Sequence, residues 1–169
     1  MAGITALSVD APGDYLDADI AFQEIIAPYA RHPAAQQMKC YIQHGTTTTY
    51  DHCMSVAHTC YKLACTLKLR VNMENLVTGA FLHDLYLYDW HDRTTSKPHH
   101  ATKHPVYAHE NALKYFEINP VVENIILSHM WPLPPTRLPK SKEAVLVTIV
   151  DKWCSLGETC KRFGRRLQR

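Results

Sequence analysis

Six ionisable side chains constrain the fold most, because they fall on predicted helices that are otherwise apolar or at the ends of those helices: His52, His83, Asp84, His104, His129 and Asp151. Four imidazoles and two carboxylates in an apolar interior are costly unless something offsets their desolvation. Apart from the adjacent pair His83 and Asp84, they belong to different predicted helices, so a helical bundle can bring them to one point. A divalent cation supplies the compensation, and mixed nitrogen and oxygen ligands suit Mn, Fe, Co, Ni or Zn rather than Ca. The pattern therefore predicts a metal site.

Each of these side chains has an ordinary alternative when it is taken singly. A lone histidine on an apolar helix face is more often a hydrogen-bonded core residue than a metal ligand. Asp151 alone can be a buried cap or an ion-pair partner, and a lone His-Asp dipeptide carries little information. The joint pattern, in a chain with eleven histidines, is what favours a shared site.

Helical periodicity dominates the chain, and there are few β-hairpin signals. Helix starts are marked by Thr48 with Asp51 three residues on, by Asn72, and by the prolines Pro105 and Pro120. We therefore predict an all-α fold, a compact helical bundle of about six main helices. These helices are expected to begin near Tyr15, Thr48, Asn72, Pro105, Pro120 and Ser141.

Length and composition describe one ordinary globular domain. With 169 residues, 46% of them hydrophobic and 20% charged, the chain can bury a core, and we expect one domain over 1–169 with its core at about 38–162. The segment 161–169 holds five basic side chains and no acid, which indicates a helix end or solvated terminus rather than a nucleic-acid partner. The six cysteines form no CxxC pair and are interpreted as reduced core residues.

Membrane and targeting signals are not visible in the sequence. The longest strongly apolar run, Ala144 to Val150, is far shorter than the roughly 20 residues of a membrane span. The acidic N-terminal region has no basic segment of the kind that begins a secretory signal. We expect a cytoplasmic protein without a membrane partner; the oligomeric state stays open, a homodimer included.

The segment from Leu87 to Lys103 has no clear apolar periodicity. It is long for a connection in a compact domain, and such loops are usually functional or disordered. Its many histidine and cationic side chains favour a lid or a substrate loop over an idle linker. The aromatic and acidic run that ends at Trp90 can stack a base or a sugar, or serve packing alone.

The order H…HD…H…H…D at this spacing resembles the HD-domain superfamily of metal-dependent phosphohydrolases, over roughly 44–160. The segment from His52 to Ala57 resembles the family's first-histidine helix, and Gly79 to Asp84 resembles its defining motif. His104-Pro105 followed by Ala108 is similar to the HP-x-x-G/A segment of its two-metal members. The phrases Gln43-His44-Gly45, HDLYLYDWH from His83 and HMWPL from His129 resemble a small bacterial subgroup of HD proteins.

The resemblance implies a ligand set for one or two divalent transition-metal ions. His52, His83, Asp84 and Asp151 would surround one metal, and His104 and His129 would join Asp84 around a second. Two such metals can activate a shared water for attack on phosphorus and absorb the developing charge. The candidate catalytic residues are Asp84, His104 and Lys152. Lys152, next to Asp151 in the sequence, is a candidate phosphate contact unless it is one of the commoner exposed lysines. Candidate substrate-binding residues are His44, Trp90 and His100.

The leading hypothesis is a phosphohydrolase that cleaves a small phosphate ester, with a nucleotide foremost. The lysine of the HDxGK motif of cyclic-di-GMP phosphodiesterases and the paired acids of alarmone hydrolases are missing, since Leu87 and Tyr88 occupy the third and fourth positions after Asp84. Two alternatives keep the same metal ligands. One is a di-iron oxygenase similar to myo-inositol oxygenase, and the other is a non-catalytic metal- or ligand-binding module.

Overall fold

The computed structural model describes residues 12–92, 94 and 96–166, with side chains from residue 19 to residue 160. This part of the chain holds seven α-helices, one short 3-10 helix and one small hairpin. The helices are α1 (Pro12–Ala30), α2 (Pro33–Gln37), α3 (Thr49–Thr66), α4 (Met73–Leu82), α5 (His100–Tyr115), α6 (Pro120–Ser128) and α7 (Lys142–Arg166). The 3-10 helix is Met38–Cys40, and the antiparallel strands are β1 (Ile42–His44) and β2 (Thr47–Thr48).

The predicted all-α class is confirmed, and the six expected main helices correspond to α1 and α3 to α7. The short helix α2 was not predicted. It begins at Pro33 because the side chain of His32 accepts a hydrogen bond from the backbone N–H of Ala34 at 3.2 Å. The start predicted for α5 at Pro105 was wrong, since the helix begins at His100, after His99 in a left-handed conformation with φ of 57°.

Local capping explains where α3, α4 and α6 begin. The Thr48 hydroxyl accepts from the backbone N–H of Asp51 at 3.1 Å, as predicted. Asn72 caps α4 through Asn75 N–H at 2.9 Å. The side chain of Asn119 accepts from two backbone N–H groups at the start of α6, just before Pro120.

The core lies where α3 and α4 pack against each other and against α6 and α7. The approach of α4 to α6 depends on Gly79, because a Cβ built there would lie 2.5 Å from Cδ1 of Ile125. Close approach of these two helices brings together the residues at their C-terminal ends, His83 and His129, whose ring centroids are 4.8 Å apart. Among the described residues, no helix is long and apolar enough to cross a membrane.

Candidate metal centre

The structure brings together all six ionisable side chains that the sequence singled out. All are buried, with at most 7% of any of these residues exposed. They come from five helices or their ends: His52 from α3, His83 and Asp84 from the end of α4, His104 from α5, His129 from the end of α6 and Asp151 from α7.

The ligand atoms form three overlapping groups, and within each group they lie within 4.8 Å of one another. Asp84 is central because its two oxygens face different partners. Its Oδ2 is 3.5 Å from Nε2 of His83, whereas its Oδ1 is 3.3 Å from Nε2 of His104 and 3.5 Å from Nε2 of His129. The groups are His52 with His83 and Asp84, His83 with His129 and Asp151, and Asp84 with His104 and His129.

Backbone carbonyls fix the orientation of three histidine rings. The Nδ1 atoms of His83 and His129 each contact the carbonyl oxygen three residues earlier, at 2.7 and 2.8 Å. Nδ1 of His104 contacts the carbonyl of His100 at 2.9 Å. A carbonyl only accepts, so each Nδ1 carries the hydrogen, and the Nε2 of a neutral ring presents its lone pair to the cluster.

The cluster therefore contains acceptor atoms that lack hydrogen-bond donors. Nε2 of His83 and Oδ1 of Asp84 are buried without a hydrogen-bond partner. The Nε2 atoms of His104 and His129 lie 2.9 Å apart, close to the separation of two nitrogens that share one metal at about 2.1 Å. Lone pairs at this distance repel unless a cation or a proton lies between them. The donor set thus fits a divalent transition metal.

Without a metal, protons balance the charge of the carboxylates. Burial raises the pKa of Asp84, but the neighbouring His83 and His104 hold it well below its ordinary range. Burial lowers the pKa of His52, but its hydrogen bonds to Asp151 and Glu158 raise that pKa to about 10. The pKa of His83 is likewise raised well above its ordinary value, against burial, by the charge of Asp84. A metal ion that binds here displaces these protons.

Glu158 supports the cluster from behind His52, and sequence reasoning missed it. Its two carboxylate oxygens lie 3.1 and 3.2 Å from Nδ1 of His52, and Nε2 of the same ring lies 3.1 Å from Oδ1 of Asp151. A carboxylate on the far nitrogen fixes the tautomer of a metal-binding histidine and increases its basicity. The available signal was the seven-residue spacing from Asp151, which puts both carboxylates on one face of α7.

Gln43 supports Asp84 in a comparable way. Its side-chain N–H donates to Oδ2 of Asp84 at 2.6 Å, and its Oε1 accepts a hydrogen bond from the hydroxyl of Tyr86. The Thr49 hydroxyl lies 3.1 Å from the hydroxyl of Tyr86. The motifs quoted from the sequence contained Gln43 and Tyr86, but their role depends on the β1–β2 hairpin, which the sequence did not predict.

A cavity of about 550 Å³ opens onto the cluster. Its walls include the three candidate substrate-binding residues His44, Trp90 and His100, and also Lys152. The rings of Trp90 and His100 are parallel, with centroids 4.9 Å apart and planes inclined by 3°. Burial and the nearby His104 lower the pKa of His100 to about 4, so this ring is neutral at pH 7.

Lys152 lines the cavity with most of its hydrogen-bonding capacity already used. Its Nζ donates to the carbonyl oxygens of His129 at 2.9 Å and Thr148 at 3.3 Å. An ammonium group has three N–H donors, so the described residues leave one for a ligand. Burial lowers the pKa of Lys152 although Asp151 is adjacent.

The loop predicted from Leu87 to Lys103 is shorter in the structure. It ends at His99, because His100 and Lys103 belong to the first turn of α5. Trp90 and His100 nevertheless place both ends of this segment on the cavity wall. Arg93, which was among the cationic residues of the predicted loop, lies outside the described residues.

The described residues form an all-α fold with a buried cluster of histidine and aspartate side chains that can hold a metal ion. The protein is therefore a helical domain with a candidate metal centre. The HD domain family model matches residues 49–155, which is more than half of the chain. The chain therefore belongs to the HD domain family, whose members bind divalent metals and are mostly metal-dependent hydrolases. No curated protein and no solved structure gives a significant match to the chain.

Proposed function

We propose that this protein is a metal-dependent phosphohydrolase that cleaves a small phosphate ester, with nucleotides as the first substrates to test. One observation carries the proposal. The central carboxylate, Asp84, faces His83 with one oxygen and the pair His104 and His129 with the other. Asp84 and this histidine pair also line a cavity of about 550 Å³. A cavity of this size suits a small organic ligand.

The side chains that face the cavity have separate parts in the proposed chemistry. A bound divalent metal supplies Lewis acidity and makes a water molecule acidic enough to act as a nucleophile near neutral pH. Four residues of the cluster line the cavity: Asp84, His104, His129 and Asp151. Gln43 keeps the Asp84 carboxylate in its orientation. The remaining N–H of Lys152 donates to a phosphate oxygen, and the fixed position of its Nζ orients the ester.

The test combines metal analysis with a substrate panel. Protein purified without added metal is analysed for bound elements, then loaded with Mn, Fe, Co, Ni or Zn and assayed for phosphate release from nucleotides and simple esters. We expect release that His129→Ala abolishes and His109→Ala retains, because His109 pairs with Glu123 outside the cluster. Absence of release from every ester with every metal contradicts the proposal.

A di-iron oxygenase is the second candidate, because the same nitrogen and oxygen donors also suit iron. Substrate-dependent oxygen uptake by the iron-loaded protein, without phosphate release, favours this alternative. A non-catalytic module binds metal without turnover of any kind. The same preparation therefore separates all three functions.

We propose a cytoplasmic protein with a small phosphorylated substrate and without membrane or nucleic-acid partners, and a homodimer stays open as its assembly. The side chains of the basic segment 161–169 lie outside the described part of the chain, so its role rests on the sequence alone.

A further inference from the structure

The cavity continues along α7 away from the metal cluster. Asp151 belongs to the cluster, and Ser155, Leu156 and Thr159 line the cavity further along the same helix. With a rise of 1.5 Å per residue, Leu156 lies about 7–8 Å beyond Asp151 along the helix axis. A ligand with its phosphate at the cluster therefore has space for an organic group of about this length.

The outer part of this cavity has exposed apolar walls. Leu133 and Leu156 are 62% and 60% exposed, and both line the cavity. Trp90, Met130 and Pro132 also belong to the apolar lining. Large apolar side chains that are exposed together next to a buried polar cluster indicate a surface that a ligand covers.

Three polar side chains of the same walls, Ser155, Thr159 and His100, already form hydrogen bonds within the protein. The Ser155 hydroxyl donates to Oδ1 of Asp151 at 3.4 Å, and the Thr159 hydroxyl donates to the carbonyl of Ser155 at 2.8 Å. Nδ1 of His100 is hydrogen-bonded to the hydroxyl of Tyr88 at 2.7 Å. A polar organic group would therefore regain only part of the hydrogen bonds to water that it loses here, whereas an apolar group loses none.

We infer that the substrate is a phosphomonoester whose alcohol carries a compact hydrophobic group, alkyl or aryl, that lies against Leu133 and Leu156. The inference rests on the proposed phosphohydrolase function. Within the small phosphate esters it ranks alkyl and aryl esters above the nucleotides with which the substrate panel begins. The phosphate lies at the cluster, and the hydrophobic group extends about 7–8 Å along α7. Hydrolysis breaks the P–O bond: water supplies the hydroxyl that stays on phosphate and the proton that leaves with the alcohol.

The test uses ethyl, butyl and hexyl phosphate with the metal-loaded protein. All three release primary alcohols of similar acidity, so differences in kcat/KM report contacts of the chain and not leaving-group chemistry. Each methylene that becomes buried is expected to raise kcat/KM about fourfold, and we expect at least a tenfold rise from ethyl to hexyl. The polar analogue 2-(2-methoxyethoxy)ethyl phosphate is similar in length to hexyl phosphate. Its kcat/KM is expected to stay near that of ethyl phosphate.

Matched variants locate the effect on the protein. Leu156→Ser is expected to reduce the gain from ethyl to hexyl, while Leu67→Ser retains it, because Leu67 is equally exposed at 60% but lies at the end of α3. Calorimetric binding of ethylphosphonate and hexylphosphonate gives a readout independent of turnover. The hexyl compound should bind more tightly and with a more negative heat-capacity change.

The outcomes separate the two proposals. Phosphate release with equal kcat/KM for ethyl and hexyl phosphate, or with the polar analogue preferred, overturns the hydrophobic class and leaves the phosphohydrolase function in place. Tighter binding of hexylphosphonate without hydrolysis of any ester overturns the phosphohydrolase function but supports the hydrophobic cavity. Absence of both turnover and phosphonate binding overturns both.

Discussion

Glu158 gives the sharpest test of how the cluster holds a metal. The side chain of His52 is fully buried and that of Glu158 is 11% exposed, so solvent screens their interaction little. Glu158→Ala removes the acceptor for the Nδ1 hydrogen of His52, and the ring loses the partner that directs its Nε2 toward the cluster. Glu158→Gln keeps an acceptor oxygen but removes the charge.

The expected magnitudes follow from these two changes. Loss of a hydrogen-bonding partner behind a metal ligand typically lowers metal affinity 10- to 100-fold, or about 1.4–2.7 kcal/mol. Because glutamine still fixes the tautomer, we expect about a tenfold loss for Glu158→Gln. We expect a loss near 100-fold for Glu158→Ala, which abolishes both the charge and the hydrogen bond.

The assay is a competition titration of Co or Zn against a chromophoric chelator, with circular dichroism of the metal-free proteins to verify folding. Glu123→Gln and Glu123→Ala are the matched controls, since Glu123 pairs with Nε2 of His109 at 2.9 Å outside the cluster. These controls should bind metal like the wild type. A folded Glu158→Ala protein with metal affinity within twofold of wild type would refute the reasoning, and so would equal losses for alanine and glutamine.

Three further predictions concern the packing of α4 against α6, the stability conferred by metal, and the hydrogen bonds that hold Asp84. Gly79→Ala should lower the free energy of unfolding by about 1–3 kcal/mol in chemical denaturation, because its Cβ meets Ile125, whereas Gly157→Ala, with no atom within 4 Å of its Cβ, should not destabilise. Removal of metal with a chelator should lower Tm, and added metal at about 100 times its Kd should raise the free energy of unfolding by about 2.7 kcal/mol. A Tm that does not change with metal contradicts a site specific to the folded protein. Tyr86→Phe removes the hydroxyl that donates to Gln43, so metal affinity in the same competition titration should fall several-fold; unchanged affinity excludes this support.

Features that depend on nearby residues could be predicted from the sequence. The caps at Thr48 and Asn72 involve a side chain and a backbone group three residues apart, so the sequence contains both partners of each contact. The convergence of the histidines was also predictable. Ionisable side chains on several apolar helices are costly to bury singly, and a shared metal site offsets the cost for all of them. The start of α5 was not predictable, since a proline marks a helix end only approximately and the left-handed His99 carries no local signal.

The residues that support the cluster could not be found in this way. Gln43 lies 41 residues from Asp84 in the sequence, and Glu158 lies 106 residues from His52. Their contacts depend on the position of the β1–β2 hairpin and on the packing of α3 against α7. No periodicity in the sequence encodes either arrangement, and a glutamine or a glutamate alone is an ordinary surface residue.

The convergence of two helix ends has an electrostatic consequence. His83 and His129 are the C-cap residues of α4 and α6, so the partial negative charge at the end of each helix macrodipole points at the cluster. This field favours a cation at the cluster and disfavours an anion. An anionic ester should therefore bind the metal-loaded protein in preference to the metal-free protein, a bias that the scaffold itself contributes.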